Sequence, residues 1–262
     1  MPTRIRYFGW SALSIETSDG ALFFDPFFRP YCGAEWFHLD DFRHATYICV
    51  THGHEEHFLD VPVIARATGV PVIGSPSVCS FLKWRRRLPA SQLRVIDPKR
   101  FGTLEVPGFR LSSFLWKHRD INLPRAVSRA LFHGSTTQLS WAWSSATSAP
   151  FYAPYAGFHV ELPDGLTVLN YNEGFNTKMS DAEIADIGRR HRTDVLLAGM
   201  QLNFIADVVR GVGTQAADRR ALSAARALPR HDGRSLRAVA CLWRRGAQPL
   251  PRRHGPSRAA GF

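Results

Sequence analysis

Three histidines within six residues mark the part of the sequence that could do chemistry. The stretch Thr51-His52-Gly53-His54-Glu55-Glu56-His57 follows a short apolar run and brings imidazole and carboxylate groups together. On a turn after a strand, His52 and His54 can point the same way, while Glu56 and His57 reach a neighbouring point. Imidazoles and carboxylates are common ligands of zinc and related metals. The spacing therefore predicts a site for one or two divalent ions, with a solvated polar loop as the alternative.

The residues around this turn have the patterns of strands and helices that would position it. An apolar run at 46–50 is typical of a strand covered on both faces, and it leads directly into the histidines. The predicted strands are 4–9, 11–16, 21–26, 46–50, 70–74, 93–96, 101–106, 109–115, 157–162, 166–171 and 194–198, and the predicted helices are 59–68, 77–87 and 180–191. Strands followed by helices, and then the same order again, predict an α/β fold of two sheets with helices outside, an αββα sandwich.

A segment at 119–156 fits no regular element. It is rich in Ser, Ala and aromatic residues, among them Trp141, Trp143, Phe151 and Tyr155. An irregular insertion of this length inside a compact domain is usually functional or disordered. We expect it to form a wall of the pocket, which favours a substrate with an apolar part. Packing of its aromatic rings on the domain itself is the alternative.

The histidine motif resembles the HxHxDH signature of the metallo-β-lactamase superfamily. The start Phe8-Gly9-Trp10-Ser11, followed by Phe24-Asp25-Pro26, is similar to the branch that contains L-ascorbate-6-phosphate lactonase and N-acylphosphatidylethanolamine phospholipase D. The resemblance covers about residues 4–205. It implies an αββα sandwich of the metallo-β-lactamase type and a lactonase-like hydrolase in which one or two metal ions activate water.

The resemblance assigns the first metal site to three histidines. His52 and His54 match the first pair of ligands, and His118, which ends a strand pattern at 110–117, is the best match for the third. His133 and His159 are weaker matches for the third ligand. His159 lies within a strand pattern, where a packed or surface residue is expected.

The resemblance also assigns a second metal site and an acid that supports both sites. His57 and Glu56 match ligands of the second metal, and Glu56 is also the candidate catalytic residue that orients or deprotonates the attacking water. Glu173 takes the place of a bridging acid, where the family has Gly-Asp-Thr. Asp25 resembles an acid that braces the ligand loops through hydrogen bonds, with an exposed turn aspartate as the alternative.

The metal-binding carboxylates depart from the family pattern. Glu56 and Glu173 stand where the family has aspartate, and each adds a methylene group to a ligand sphere with little tolerance in distance. Such a site could take a different metal or fill one of its two positions. Zinc is the favoured ion, with manganese and iron as alternatives.

The positive charge of the chain is concentrated at its C-terminal end. Of the net charge of +11, residues 210–262 carry +10 through twelve Arg and two acids, so residues 1–209 are close to neutral. The same segment has no Ile and no Tyr, and such a composition does not readily build a central strand. We therefore expect a metallo-β-lactamase-like domain at 1–209 with an incomplete C-terminal part. We expect residues 210–262 to be an Arg/Ala-rich tail that is either disordered or encoded in the wrong reading frame. His231 and His254 in this tail are weak candidates for the last ligand of the family.

These features together predict a cytoplasmic, metal-dependent hydrolase acting on an ester, lactone or phosphodiester in a small-molecule substrate. The four scattered cysteines form no CxxC pair and are expected to be reduced thiols. No apolar stretch predicts a membrane span, and the N-terminus does not have the pattern of a signal peptide. Two alternatives stay open: a nuclease of the same fold whose tail binds phosphates, and a non-catalytic remnant with an incomplete metal site. The near-neutral body argues against nucleic acid as a partner.

Overall fold

The chain folds into two facing β-sheets with helices on their outer sides. The computed structural model describes residues 3–9, 11–28, 37–118, 143, 147–172, 178–200 and 238–243. Within these residues, twelve strands form two sheets of six strands each.

The first sheet contains the strands of the N-terminal part in sequence order. They are β1 (Arg4–Gly9), β2 (Ala12–Glu16), β3 (Ala21–Phe24), β4 (Tyr47–Cys49), β5 (Val72–Gly74) and β6 (Leu93–Val95). The pairs β1–β2 and β2–β3 are antiparallel, whereas β3 to β6 run parallel to one another. Because β3 and β4 are parallel neighbours, the residues that follow them meet at the same edge of the sheet.

The second sheet is mostly antiparallel. Its strands are β7 (Thr103–Val106), β8 (Phe109–Leu115), β9 (Ala156–Glu161), β10 (Thr167–Asn172), β11 (Val195–Met200) and β12 (Ala238–Trp243). The strands β7 to β10 pair antiparallel, β11 is parallel to β10, and β12 pairs antiparallel with β11. The end of β8 therefore lies beside the start of β9.

Among the described residues, four α-helices connect or cover the strands: α1 (Glu55–Phe58), α2 (Val61–Thr68), α3 (Pro76–Trp84) and α4 (Asp181–Arg190). Local signals set their ends. The Ser75 hydroxyl accepts a hydrogen bond from the Val78 amide at the start of α3, and α4 begins with a capping box between Ser180 and Glu183. The helix α2 ends at Gly69, which has a φ of 73° and so adopts the left-handed conformation that favours glycine.

Two apolar layers hold these elements together. Alternate residues of both sheets, such as Leu22 and Val160, fill the layer between the sheets, where the rings of Phe24 and Phe158 lie 5.6 Å apart. The other face of the first sheet packs against α1, α2 and α3 through a second layer that includes Phe23. This arrangement is the αββα sandwich that the sequence predicts.

The structure adds a strand where composition predicts none. The six residues of β12 fall in the segment 210–262 and pair through their backbone with β11. In this position β12 is the end strand of its sheet. The other residues of that segment lie outside the described part of the chain, so its boundary at 209/210 and its character stay predictions.

Two of the four cysteines are described with their side chains. Cys49 and Cys79 are buried free thiols, and burial raises the pKa of Cys79 to about 12. In the part of the chain that the structure describes, every helix is too short or too polar to cross a membrane.

A buried histidine pair lies between β9 and the end of α4. The rings of His159 and His191 are 4.9 Å apart, and Nε2 of His159 donates a hydrogen bond to the Arg192 carbonyl at 2.8 Å. Burial lowers the pKa of both residues. For His191, burial, the neighbouring His159 and the Arg190 guanidinium lower the pKa to about 4.

We predict that this pair makes the fold sensitive to acid. The pKa of His191 is lower in the folded state than its unfolded value of about 6.5, so its contribution to stability is complete above that pH. The contribution is lost as the pH falls towards 4, by on the order of 3 kcal/mol at most. His191→Gln should therefore reduce the difference between the free energies of unfolding at pH 7.5 and pH 4.5. Both free energies are measured by denaturant titration of the metal-free protein in buffer that contains a chelator. The exposed His38→Gln is the control, and an unchanged pH dependence in His191→Gln would contradict the prediction.

Candidate metal centre

Residues 51–57, called the metal turn below, lie where strands of both sheets meet at one edge. The Asp25 amide, just after β3, donates to the Cys49 carbonyl of β4 at 2.9 Å. The Thr51 carbonyl accepts from the Ala156 amide of β9 at 2.8 Å, and the Tyr155 carbonyl accepts from the Trp116 amide at 3.1 Å. These backbone bonds join the turn after β4 to the end of β8 and the start of β9.

Three histidines converge at this edge. His52, His54 and His118 each offer a ring nitrogen, and the three nitrogens all lie within 4.8 Å of one another. His52 and His54 are buried and His118 is half-buried. Ring centroids are 4.5 Å apart for His52 and His54, and 4.6 Å apart for His54 and His118. The structure thus brings together the three residues that the resemblance assigns to the first metal.

His57 faces the same centre and is held from behind by Asp25. Nδ1 of His57 lies 2.8 Å from Oδ2 of Asp25, and both side chains are fully buried. A carboxylate only accepts, so Nδ1 carries the proton and Nε2 keeps its lone pair. Nε2 is buried and has no hydrogen-bond partner among the described residues. A buried imidazole nitrogen of this kind suits a metal ion, and the ring centroid of His57 is 3.9 Å from that of His52.

Thr51 sets the orientation of His52 in the same way. Its amide donates to Oδ1 of Asp25 at 2.8 Å, and its hydroxyl donates to Oδ2 at 2.6 Å. The hydroxyl has only one proton, so Oγ1 accepts from Nδ1 of His52, which lies 3.0 Å away. The ligand lone pair of His52 is therefore on Nε2. One buried carboxylate, directly and through Thr51, fixes the tautomers of two imidazoles.

A neighbouring segment packs tightly over the metal turn. A Cβ atom at Gly53 would collide with the carbonyl oxygen of Pro150, so only glycine fits where the two segments of backbone meet. The next residue of that segment, Phe151, stacks on the ring of His54 with centroids 4.7 Å apart. The part of the segment 119–156 that the structure describes therefore includes a wall of the site.

Two more aromatic residues complete the surroundings of the centre: Tyr155, from the segment expected to form a wall of the pocket, and Trp116, which the sequence analysis did not assign to the site. The Tyr155 ring stacks on His118 at 5.0 Å, and its hydroxyl lies 3.4 Å from Nε2 of His54. Burial raises the pKa of Tyr155, so the hydroxyl keeps its proton at neutral pH. Trp116 lies 5.4 Å from His52, centroid to centroid. The only sequence signal for Trp116 is its position two residues before His118.

The acids of the predicted site are placed differently from the histidines. Glu56 is half-buried in the first turn of α1 and is not part of the group of three histidines defined above. Its neighbour Glu55 is the buried acid of that turn. Glu173 lies outside the described residues, as do His133, His231 and His254.

His159, the remaining histidine candidate, belongs to the pair with His191 rather than to the metal centre. Its hydrogen bond to the Arg192 carbonyl and its burial make it a packed residue.

Comparisons with known proteins agree with this fold. Residues 15–136 match the family model of the metallo-beta-lactamase superfamily. Among curated proteins, a UPF0173 metal-dependent hydrolase of Brucella ovis is 31% identical over 134 residues, covering 49% of this chain and 53% of that protein. A UPF0173 metal-dependent hydrolase of Methylocella silvestris is 33% identical over 79 residues, covering 30% of this chain and 34% of that protein. The matches span about half or less of these relatives.

Solved structures give the same fold. The metallo hydrolase Igni18 of Ignicoccus hospitalis superposes with a TM-score of 0.53 and 16% identity, covering 80% of this chain and 78% of that one. A possible metal-dependent hydrolase of Veillonella parvula also superposes with a TM-score of 0.53 and 16% identity, covering 81% of each chain. The chain has the αββα fold of the metallo-β-lactamase type, and the resemblance to that superfamily is confirmed. The narrower lactonase and phospholipase branch stays a prediction.

We predict that Gly53→Ala disrupts the metal centre. The added methyl group would collide with the Pro150 carbonyl, so either the metal turn or the covering segment must move. We expect zinc affinity, measured by competition titration, to fall by about tenfold or more. Gly165→Ala is a suitable control because its φ of 82° costs about 1 kcal/mol of stability, while no atom lies within 4 Å of the added Cβ. Wild-type zinc affinity in Gly53→Ala would show that the close approach does not matter.

Proposed function

We propose that this protein is a metal-dependent hydrolase that uses a metal-activated water on an ester, lactone or phosphodiester. The observation that carries the proposal is the convergence of His52, His54 and His118, with ligand nitrogens within 4.8 Å of one another. Three neutral imidazoles with an open side are typical of catalytic zinc sites. The relatives named metal-dependent hydrolases support the same reading, although each matches only part of this chain.

The donor set suits a divalent ion, and zinc is the ion we favour, with manganese and iron as alternatives. When bound, such an ion lowers the pKa of a coordinated water to about 7 and polarises a carbonyl or phosphoryl oxygen of the substrate. His57 and the half-buried Glu56 would provide a second position beside the first. We assign Glu173 to the bridge between the two positions because of the resemblance alone.

Two side chains would handle protons and charge during hydrolysis. Glu56, in the turn that carries His54 and His57, would orient the attacking water and accept its proton on a carboxylate oxygen. The Tyr155 hydroxyl lies 3.4 Å from Nε2 of His54 and is therefore beside the proposed metal position. It would donate a hydrogen bond to the oxyanion that develops on the substrate.

The covering segment suggests the kind of substrate. Phe151 is 44% exposed while it stacks on His54, and the next residue, Tyr152, is 72% exposed. Exposed aromatic rings beside a metal centre suit a small molecule with an apolar part. The near-neutral charge of residues 1–209 does not favour a nuclease. We also propose a cytoplasmic location, because the buried thiols of Cys49 and Cys79 suit a reducing compartment.

We predict that each of the three converging histidines is required for metal binding. His52→Ala, His54→Ala and His118→Ala should each leave less than ~0.3 equivalents of zinc after purification with added metal, because the coordination shell is incomplete. Metal content by mass spectrometry and turnover of a panel of ester, lactone and phosphodiester substrates are the measurements. His159→Gln, which changes a buried histidine outside the centre, is the control. A wild-type chain that binds zinc but turns over no substrate would instead support a non-catalytic remnant.

We predict that Tyr155→Phe lowers turnover without removing metal. Loss of one donor to the oxyanion should reduce kcat by about 100-fold, with little change in zinc content or KM. Tyr152→Phe is the matched control, because its hydroxyl belongs to a side chain that is 72% exposed in the same segment. An equal effect of both substitutions, or none from Tyr155→Phe, would remove Tyr155 from the mechanism.

A further inference from the structure

Asn172 joins the two sheets behind the metal centre. It is the last residue of β10 in the second sheet, and its side chain is buried against residues that follow β3 and β4 in the first. Its Nδ2 donates to Oδ2 of Asp25 at 2.9 Å and to Oγ1 of Thr51 at 2.7 Å. The amide nitrogen thus donates to both of the residues that orient His52 and His57.

The direction of this amide follows from its partners. A carboxylate oxygen only accepts, so the reversed amide would place a carbonyl oxygen against the Asp25 carboxylate without a proton between them. The nitrogen therefore faces Asp25, and it also occupies a lone pair of the Thr51 hydroxyl. Because the single hydroxyl proton goes to Asp25, the remaining lone pair of Oγ1 can only accept from Nδ1 of His52.

We infer that Asn172 is a positioning residue of the metal centre, whose amide holds Asp25 and Thr51 so that His52 and His57 present Nε2 to the metal. The inference rests on the proposed function. Without the amide, Oγ1 of Thr51 could rotate its proton towards Nδ1 of His52, and the imidazole could then change tautomer. Asp25 would also lose one of the four hydrogen bonds that compensate its burial.

The backbone conformation of Asn172 allows a substitution that removes the side-chain amide without disturbing the main chain. Asn172 has a φ of 52°, in the left-handed region that glycine and asparagine tolerate best. Its own amide donates to Oδ1 of Asn170 at 3.1 Å, which fixes the turn without the Asn172 side chain. The resemblance to the family places glycine of Gly-Asp-Thr here, since Glu173 takes the aspartate place. Asn172→Gly therefore keeps the backbone conformation and removes only the side-chain amide that donates to Asp25 and Thr51.

The first experiment measures the metal centre in the full chain. Asn172→Gly should fold, bind zinc about 10- to 100-fold more weakly, and change the visible absorption spectrum of the cobalt-substituted protein. Arg87→Gly is the control, because Arg87 has a φ of 54° on an exposed residue away from the centre. Asn172→Asp keeps the shape of the side chain without its donors and should weaken zinc binding at least as much. Wild-type affinity and an unchanged cobalt spectrum in Asn172→Gly would overturn the inference.

The second experiment does not depend on metal or turnover. Nitrogen-15 NMR of the metal-free protein reports the imidazole tautomers, and we expect His52 and His57 to be protonated at Nδ1 in the wild type. In Asn172→Gly, His52 should become a mixture of tautomers, whereas Arg87→Gly should match the wild type. Unchanged tautomers in Asn172→Gly would overturn the inference even if the protein hydrolyses substrate. A shift of His52 in a protein that hydrolyses nothing would support the inference while the proposed function fails.

Discussion

The geometry of the metal centre depends on the buried carboxylate of Asp25. It accepts four hydrogen bonds, from the amide and hydroxyl of Thr51, from His57 and from Asn172. A carboxylate without solvent costs several kcal/mol unless donors of this kind surround it. The residue after β3, the turn after β4, the helix α1 and the end of β10 must therefore meet at one point. The orientations of the His52 and His57 imidazoles follow from that requirement.

The two polar residues that face each other across the sheets share an uncommon backbone conformation. Asp25 has a φ of 44° and Asn172 a φ of 52°. Non-glycine residues in this region carry strain of about 1 kcal/mol or more, which persists only when surrounding contacts hold it. Here the hydrogen bond between their side chains provides such a contact. Both turns direct short polar side chains into the space between the strand ends, where longer residues would not fit the same network.

Most of the fold could be predicted because its signals are local. Period-two strands, turn residues and the capping box at Ser180 are each read from a few neighbouring positions, and the histidine spacing predicted the candidate metal turn in the same way. The contacts of Asn172 with Thr51 and of Gly53 with Pro150 could not be predicted, since they depend on how the strands are ordered and on how a distant segment crosses the turn. The strand β12 was not predicted because its six apolar residues lie among arginines. The prediction for this part of the chain used the composition of the whole segment 210–262, which hides so short an apolar run.

The three converging histidines come from different sheets, since His52 and His54 follow β4 and His118 follows β8. An ion held by them would tie the two sheets together at one edge. A ligand that binds only the folded state stabilises it by RT ln(1 + [L]/Kd), about 4 kcal/mol at a thousandfold excess over Kd. That is a large share of the roughly 5–15 kcal/mol typical of a domain. The amount of folded protein in a cell would then depend on the supply of the metal. Metal depletion would lower the amount of protein through degradation, in addition to inactivating the molecules that remain.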